Sequence, residues 1–338
     1  MSEIKYRISV IIPLFNGSKS IKSCLDSLEN SNYDKNRFEI IIVDDHSTDD
    51  SVSIVEQYSE QSAMNIKGFA FEENAGPATV RNYAIRMAEG EIYAFTDPDC
   101  IVDLNWLNNI DAYVAEGNGL IGGEIIANEP VIFPWKLAPV GQERIASNLA
   151  IHRDILGLER FNEKFKFPIG EDADLSYRLE KGDVVYSHET NLVVTHPVET
   201  LSLPELISKG LHRESEVLLY KLNPQLAISR MNPILKPIGK AGFSPLFYIG
   251  ATFALASFII LLSLKLTGLI VLGLILVVAT LGLIFSQMFD FFVIYRPDES
   301  TKISISDRIR TILYCYIYVP VILWARIKGT LKYKKILL

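Results

Sequence analysis

The sequence predicts an α/β domain with a mostly parallel central sheet. A C-terminal transmembrane helical hairpin follows, accompanied by amphipathic, interfacial helices. Three observations carry this reading. Short β-branched apolar runs alternate with helix-period segments over the first hundred residues. Polar residues collect just after those runs, where open α/β sheets bind ligands. Residues 245–264 and 266–289 contain no charged side chain.

Residues 8–13 (I-S-V-I-I-P) form a short apolar run of the kind that is buried on both faces as a strand. Asn16-Gly17-Ser18 supplies a turn, and Ile21, Cys24, Leu25 and Leu28 then recur at helical spacing. A second strand over 40–43 ends in Asp44-Asp45-His46-Ser47-Thr48-Asp49-Asp50, and a helix follows from Ser51 with Val52, Val55 and Tyr58 on one face. Residues 66–71 give a third strand. Asn74-Ala75-Gly76-Pro77 turns into a helix over 78–88 that carries Arg81 and Asn82. The fourth strand, 92–95, leads into Asp97-Pro98-Asp99. Neither G-x-G-x-x-G nor G-x-x-x-x-G-K-[S/T] occurs, so a plain dinucleotide site or P-loop is excluded.

In an extended segment residues i and i+2 point to the same side, so Asp97 and Asp99 can share one hard cation. Oxygen ligands of this kind suit Mg²⁺ or Mn²⁺ bridged to substrate phosphates. The alternative is ordinary turn chemistry that caps the next helix.

Further along, Gly122-Gly123 sits in an apolar stretch that reads as another strand, and Pro130, Pro134 and Pro139 surround Trp135 in a loop. Gly170-Glu171-Asp172-Ala173-Asp174 opens a helix, where carboxylates also favour the helix dipole. Residues 184–186 and 192–195 read as two strands, the second closed by His196-Pro197. His196 is either a structural histidine or a metal ligand.

The 338 residues carry a formal net charge of −7, so no basic field supports a nucleic-acid partner. Cys24, Cys100 and Cys315 are far apart and form no C-x-x-C pair, which fits a reducing compartment and argues against a cysteine zinc site. The first residues lack an apolar core of signal-peptide length. Each uncharged run exceeds the roughly 18 residues of a spanning helix. Lys236 and Lys240 precede the pair, and Arg296, Lys302, Arg308 and Arg310 follow it. Both flanks are therefore expected on the cytoplasmic side, with a short outer turn at 265–268.

A third uncharged stretch, 311–325, contains Pro320 and reads as an interfacial or re-entrant helix, with a short third span as the alternative. Residues 203–222 are either a second surface-lying segment or a helix packed on the domain. The expected divisions are a catalytic domain over 1–200, an amphipathic linker over 201–244, the hairpin over 245–289, and a cytoplasmic loop with a membrane helix and basic tail over 290–338. The expected location is integral to the cytoplasmic membrane, with the catalytic domain in the cytoplasm.

Taken in order, Val10-Ile11-Ile12-Pro13-Leu14-Phe15-Asn16, Val43 to Asp49, Asn74 to Asn82, Asp97-Pro98-Asp99, Phe161-Asn162-Glu163-Lys164-Phe165 and Gly170 to Leu175 resemble the family-2 glycosyltransferases of GT-A fold. The resemblance covers about residues 6–200. It implies an inverting, metal-dependent transferase that uses a nucleotide-sugar, UDP first among the nucleotides. Asp45, with Asp44 nearby, would accept from the base; Pro13 and Asn16 would line its pocket; Arg81 would approach the base or phosphates. Asp97 and Asp99 would hold ribose, Mn²⁺ or Mg²⁺ and diphosphate, with His196 completing the metal shell. Arg213 would neutralise the leaving diphosphate, and Asp172, assisted by Glu171, would be the general base. The implied acceptor is a hydroxyl of a lipid or lipid-linked glycan. A polyprenyl phosphate is the alternative acceptor, and a catalytically inactive membrane scaffold the other class. Asp45-His46-Ser47 departs from the common Asp-Gly-Ser, and the Gln-x-x-Arg-Trp element of processive synthases is missing, which favours single-sugar transfer.

Overall fold

Strand–helix alternation is realised from the first residues of the computed structural model, which describes residues 5–140, 144–224, 293–295 and 303–334. The chain divides into two units: Met1–Asn128 with Ala138–Pro197, and Glu129–Leu137 with Val198–Leu338.

In the first unit, β1 (Tyr6–Leu14), α1 (Ile21–Glu29), β2 (Phe38–Asp44), α2 (Ser51–Gln61), β3 (Asn65–Ala70), α3 (Pro77–Met87) and β4 (Gly90–Phe95) follow one another. Next come β5 (Ile101–Val102), α4 (Trp106–Ala115) and β6 (Leu120–Ile126). The short strands β7 (Val131–Ile132) and β8 (Lys136–Leu137) belong to the second unit. The first unit then closes with β9 (Leu149–His152), α5 (Arg153–Leu156), α6 (Glu171–Lys181) and β10 (Tyr186–Thr195). The sheet order is β3-β2-β1-β4-β9-β6-β10-β5. Pairs β2–β3, β1–β2, β1–β4 and β6–β10 are parallel, whereas β9 runs antiparallel between β4 and β6, and β5 antiparallel on β10.

Every residue of β2 is buried because helices cover both faces. The period of two divides the strand residues cleanly. Ile8, Val10, Ile12, Ile40 and Ile42 pack with Leu25, Leu28 and Trp106 on one face. Ile11, Ile41 and Val43 pack with Val80, Ala84 and Leu175 on the other. Each such side chain contributes about 1.5–3 kcal/mol of burial energy.

One sequence expectation changes here. The strands foreseen at 184–186 and 192–195 are one strand, β10, whose pairing to β6 shifts between Glu189 and Val193. The polar run between them hid the continuity. Gly122 and Gly123 lie inside β6, and their smallness is a packing requirement rather than a loop device. A Cβ at Gly123 would overlap the Leu192 carbonyl oxygen and crowd the Asn148 amide.

The second unit contains β7, β8, β11 (Glu199–Thr200) and β12 (Val293–Tyr295) as a four-stranded sheet in the order β11-β8-β7-β12. Residues 130–139, expected as a loop, therefore contain a strand pair. Trp135 is buried there, and its Nε1 donates to Thr311 Oγ1 at 2.9 Å. Helices α7 (Leu203–His212), α8 (Glu214–Leu222) and α9 (Ile305–Tyr333) complete the unit. Ser202 and Glu205 form a capping box that starts α7. Helix α9 packs along α7 and α8: Gly210 meets Tyr318, and Gly329 meets Val217. Glu216 joins Arg213 at 2.6 Å to Arg326 at 3.1 Å. Residues 203–222 are thus two helices packed on α9.

Among the described residues no helix is long and apolar enough to cross a membrane. The stretch 311–325 lies within α9, beside Arg308, Arg310, Arg326 and Lys328. The hairpin expected over 245–289 lies outside the described residues.

Gly123→Ala is expected to destabilise the first unit by about 1–3 kcal/mol through overpacking between β6 and β10, read as a lowered Tm in thermal unfolding. Gly68→Ala is a control, because a Cβ there meets only Val55 Cγ1 at an ordinary 3.8 Å. Equal shifts for the two variants would refute this packing account.

Candidate active site

The loops leaving β1 and β2 are tied to each other by backbone N–H donors. Asn16 N donates to Ser47 Oγ at 2.8 Å, Thr48 N to Asn16 Oδ1 at 2.8 Å, Gly17 N to Ser51 Oγ at 2.8 Å and Ser18 N to Asp49 Oδ2 at 3.0 Å. Asn16 (φ 50°) and His46 (φ 66°) both adopt the left-handed conformation. His46 keeps the backbone that glycine would take more easily, and its side chain is exposed. Pro13 lies near the end of β1, opposite Val43, and is half-buried.

The adjacent aspartates divide their work. Asp45 accepts from Ala75 N at 2.7 Å and Gly76 N at 3.0 Å, fixing the turn before α3. Gly76 itself has φ 90°, and Pro77 occupies the first helical turn. Asp44 accepts from Ser47 N at 2.9 Å through Oδ2, while its buried Oδ1 has no hydrogen-bond partner. The unsatisfied acceptor is therefore on Asp44. Spacing alone could not distinguish the two.

Beyond β4, Asp97-Pro98-Asp99-Cys100 forms a turn closed by Cys100 N donating to Asp97 O at 3.1 Å. The Asp97 and Asp99 side chains are 25% and 36% exposed. His196, at the end of β10, donates from Nδ1 to Pro197 O at 2.8 Å. That bond leaves Nε2 as the acceptor nitrogen, 3.5 Å from Asp99 Oδ1. The donor atoms of Asp97, Cys100 and His196 lie within 4.8 Å of one another. The structure thus brings Asp97, Asp99 and His196 together although about a hundred residues separate them. It also adds a buried thiol that the sequence reading had set aside. Burial and the Asp97 and Asp99 carboxylates push the Cys100 thiol well up, so it stays protonated in this setting.

Arg81, on α3, is buried between two carboxylates. Nη1 donates to Glu171 Oε1 at 2.9 Å and Nη2 to Asp97 Oδ1 at 3.0 Å. Its charge centre sits 5.6 Å from the Phe161 ring centroid. Burial opposes that charge, but Asp97, Glu171 and Asp172 outweigh it and raise the Arg81 pKa. The next residue, Asn82, holds the backbone N–H and carbonyl of Phe161 at 2.9 Å each. The motif around Phe161 is thereby positioned by α3.

Glu171 and Asp172 open α6 after Gly170, which has φ 93°. Burial first, then the Asp172 charge, pushes Glu171 up to about 8 against the pull of Arg81. Asp172 is half-buried and accepts from Ala173 N at 2.7 Å and Ala146 N at 3.2 Å. Burial also raises its pKa, with Arg81 and those backbone donors opposing. Asp174 is paired with Arg178 at 2.9 Å and serves the helix instead. Arg213 belongs to the second unit, where it donates to Glu216 Oε1 at 2.6 Å.

Two outcomes follow from this cluster. Arg81→Met leaves Glu171 and Asp97 without their shared cation and is expected to cost about 3–5 kcal/mol. Adding Glu171→Gln should recover part of that loss in a double-mutant cycle read by thermal unfolding. Additive effects would show that the pair is not coupled. Unfolded Glu171 ionises near its ordinary 4.5, whereas the folded side chain keeps its proton up to about 8. Its contribution to stability is full below 4.5 and falls as pH rises through about 8. Glu171→Gln should flatten the decline of Tm with pH across that window. An unchanged slope would contradict the burial argument.

Comparison with known proteins places this geometry. The family model described as Glycosyl transferase family 2 matches residues 9–169. Poly(ribitol-phosphate) beta-N-acetylglucosaminyltransferase TarS of Staphylococcus aureus is 38% identical over 111 residues, 32% of this chain and 19% of that protein. Glycosyltransferase AglE of Haloferax volcanii is 32% identical over 119 residues, 35% of this chain and 39% of that protein. The matched stretch thus spans well under half the length of either relative. Among solved structures, mannosyltransferase PcManGT from Pyrobaculum calidifontis, in complex with GDP-Man and Mn²⁺, superposes with a TM-score of 0.54 at 19% identity over 96% of this chain and 89% of its own. The likeness shows the α/β fold of GT-A-like glycosyltransferases. Residues 9–169 of this chain are therefore similar to the family 2 glycosyl transferases.

Proposed function

We propose that this protein transfers a single sugar from a UDP-sugar to a hydroxyl of a lipid or lipid-linked glycan, with inversion at the anomeric carbon. The observation that carries this reading is the buried Arg81, which ties the Asp-Pro-Asp turn to the Glu171-Asp172 pair. Donor-binding and proton-accepting groups are thereby held at one edge of one sheet. Relatives named for transfer of N-acetylglucosamine or glucose to poly(ribitol phosphate) support a glycan acceptor. The two uncharged runs support a membrane tether at the cytoplasmic face.

The unpartnered Asp44 Oδ1 accepts the imide N–H of the nucleobase, between the interlocked loops that carry Pro13, Asn16 and His46. The donor set fits a hard divalent cation: two part-exposed carboxylates, Asp97 and Asp99, and an imidazole Nε2 fixed as an acceptor by the bond from Nδ1. Bound there, Mn²⁺ or Mg²⁺ would neutralise charge on the diphosphate. Burial raises both groups, Glu171 to about 8 and Asp172 above its ordinary value, which suits the pair to proton transfer. Asp172 removes the acceptor proton as the hydroxyl oxygen attacks opposite the departing nucleotide diphosphate.

Detergent-purified protein assayed with UDP-, GDP- and dTDP-sugars and a lipid extract tests the proposal. Transfer should require Mn²⁺ or Mg²⁺, be lost in EDTA, and be lost in Asp99→Ala. Asp172→Asn should bind donor normally while transfer falls by about 10²–10⁴. Full transfer by Asp172→Asn would redirect the reading to a polyprenyl phosphate acceptor, whose oxygen is already ionised. A folded wild type that binds no nucleotide-sugar would leave a scaffold role.

A further inference from the structure

The turn after β4 folds a sulfur into the cluster around Asp97. Cys100 N donates to Asp97 O at 3.1 Å, so the fourth residue of the turn comes back beside the first. Ligating atoms of Asp97, Cys100 and His196 then lie within 4.8 Å of one another. Three atoms that close share a centre no more than about 2.8 Å from each, and bonds from oxygen, nitrogen and sulfur to Zn²⁺ are about 2.0–2.3 Å. Side-chain shifts of about an ångström or less therefore bring all three onto one ion. Asp99 Oδ1 is within reach of the same ion, 3.5 Å from His196 Nε2 and 3.9 Å from Cys100 Sγ. Ligands of one tetrahedral ion stand about 3.3–3.6 Å apart at those bond lengths.

The donor set is chemically mixed. Cys100 is fully buried while the two carboxylates are part-exposed, so sulfur is the inner donor and oxygen the outer. The lack of a C-x-x-C pair argues against a cysteine-rich zinc centre, but not against a single sulfur among oxygen and nitrogen donors. The plain alternative is a cysteine that fills the core as a small apolar residue. Both buried cysteines do belong to the core cluster beneath the turn. They differ in what their sulfurs meet. Cys24 Sγ donates to the Asp97 backbone carbonyl at 3.5 Å, and among the described residues Cys100 alone adds a sulfur to the imidazole and carboxylate donors.

We infer that Cys100 is a sulfur ligand of this centre, which therefore takes Zn²⁺ or Co²⁺, and after them Mn²⁺, in preference to Mg²⁺. Thiolate favours the softer ions, and the hard Mg²⁺ gains least from it. As the sulfur–metal bond forms, the S–H bond breaks and its proton leaves to water. The inference rests on the metal role proposed above for Asp97, Asp99 and His196, to which it adds a fourth ligand and an order of preference.

Co²⁺ is the probe, because a thiolate ligand gives it an intense near-ultraviolet charge-transfer band that carboxylate and imidazole do not. Metal-free, full-length protein in detergent would be titrated with Co²⁺, with and without UDP. The band should appear in the wild type, in Cys24→Ala and in Cys315→Ala, and be absent from Cys100→Ala. In competition with Mg²⁺, Cys100→Ala should lower the ratio of Co²⁺ to Mg²⁺ affinity by at least the 10–100-fold, roughly, that loss of an outer-shell partner costs. Should Cys100→Ala not fold, the wild type and the other two variants still decide: a band lost with Cys24 or Cys315 assigns the sulfur elsewhere and overturns the inference. Co²⁺ bound by the wild type without the band overturns it too, and leaves the oxygen and imidazole site of the proposed function standing. Binding of no Co²⁺, Mn²⁺ or Mg²⁺ under either condition overturns both. None of these readouts needs turnover.

Discussion

One buried guanidinium organises the catalytic unit. Arg81 is the only group through which the turn after β4 and the N-terminus of α6 share a charge partner among the described residues. Removing three carboxylates from water around a single cation is unfavourable unless that cation is present and held rigidly. Rigidity comes from α3, which Gly76 and Pro77 start and Asp45 anchors by accepting from two consecutive N–H groups. Burial first, then the Asp172 charge, raises Glu171 against the pull of Arg81, and burial raises Asp172 as well. The proton affinity of this pair is thus a consequence of helix placement.

Much of the first unit was legible because β-branched runs buried on both faces have few alternatives. Residues 8–13, 40–43 and 92–95 lie within β1, β2 and β4. The antiparallel β9 was not legible. Leu149–His152 is four residues long and carries no turn signal of its own, so its place between β4 and β6 is decided by the sheet. The strand pair around Trp135 was hidden for a similar reason: the prolines that mark a loop also bound very short strands. Which of Asp44 and Asp45 retains a free oxygen depends on where the Ala75 and Gly76 amides fall, and no spacing rule reports that. Arg81 was read from the sequence as a nucleotide contact. The structure supplies its two carboxylate partners, one of them ninety positions away.

The second unit follows a different logic. Its helices are joined by ion pairs that are partly shielded, with Glu216 between Arg213 and Arg326 and Glu214 between Lys328 and Lys332. Glycines at 210 and 329 let the helices approach closely. The packed side of α9 also brings Tyr314, Tyr318 and Ile322 into an apolar cluster with Leu201 and Leu206.

The interlocking of the β1 and β2 loops carries a consequence for how such a pocket changes over time. Asn16 Oδ1 accepts from Thr48 N while Asn16 N donates to Ser47 Oγ, and Ser51 anchors Gly17 while Asp49 anchors Ser18. Replacing Asn16, Ser47 or Ser51 releases an N–H group in the opposite loop. If these loops hold the nucleobase as proposed, drift towards a different one has to pass through paired substitutions. Libraries that randomise one loop at a time would sample mostly collapsed pockets, whereas joint variation of 16–18 with 46–49 would reach new specificities.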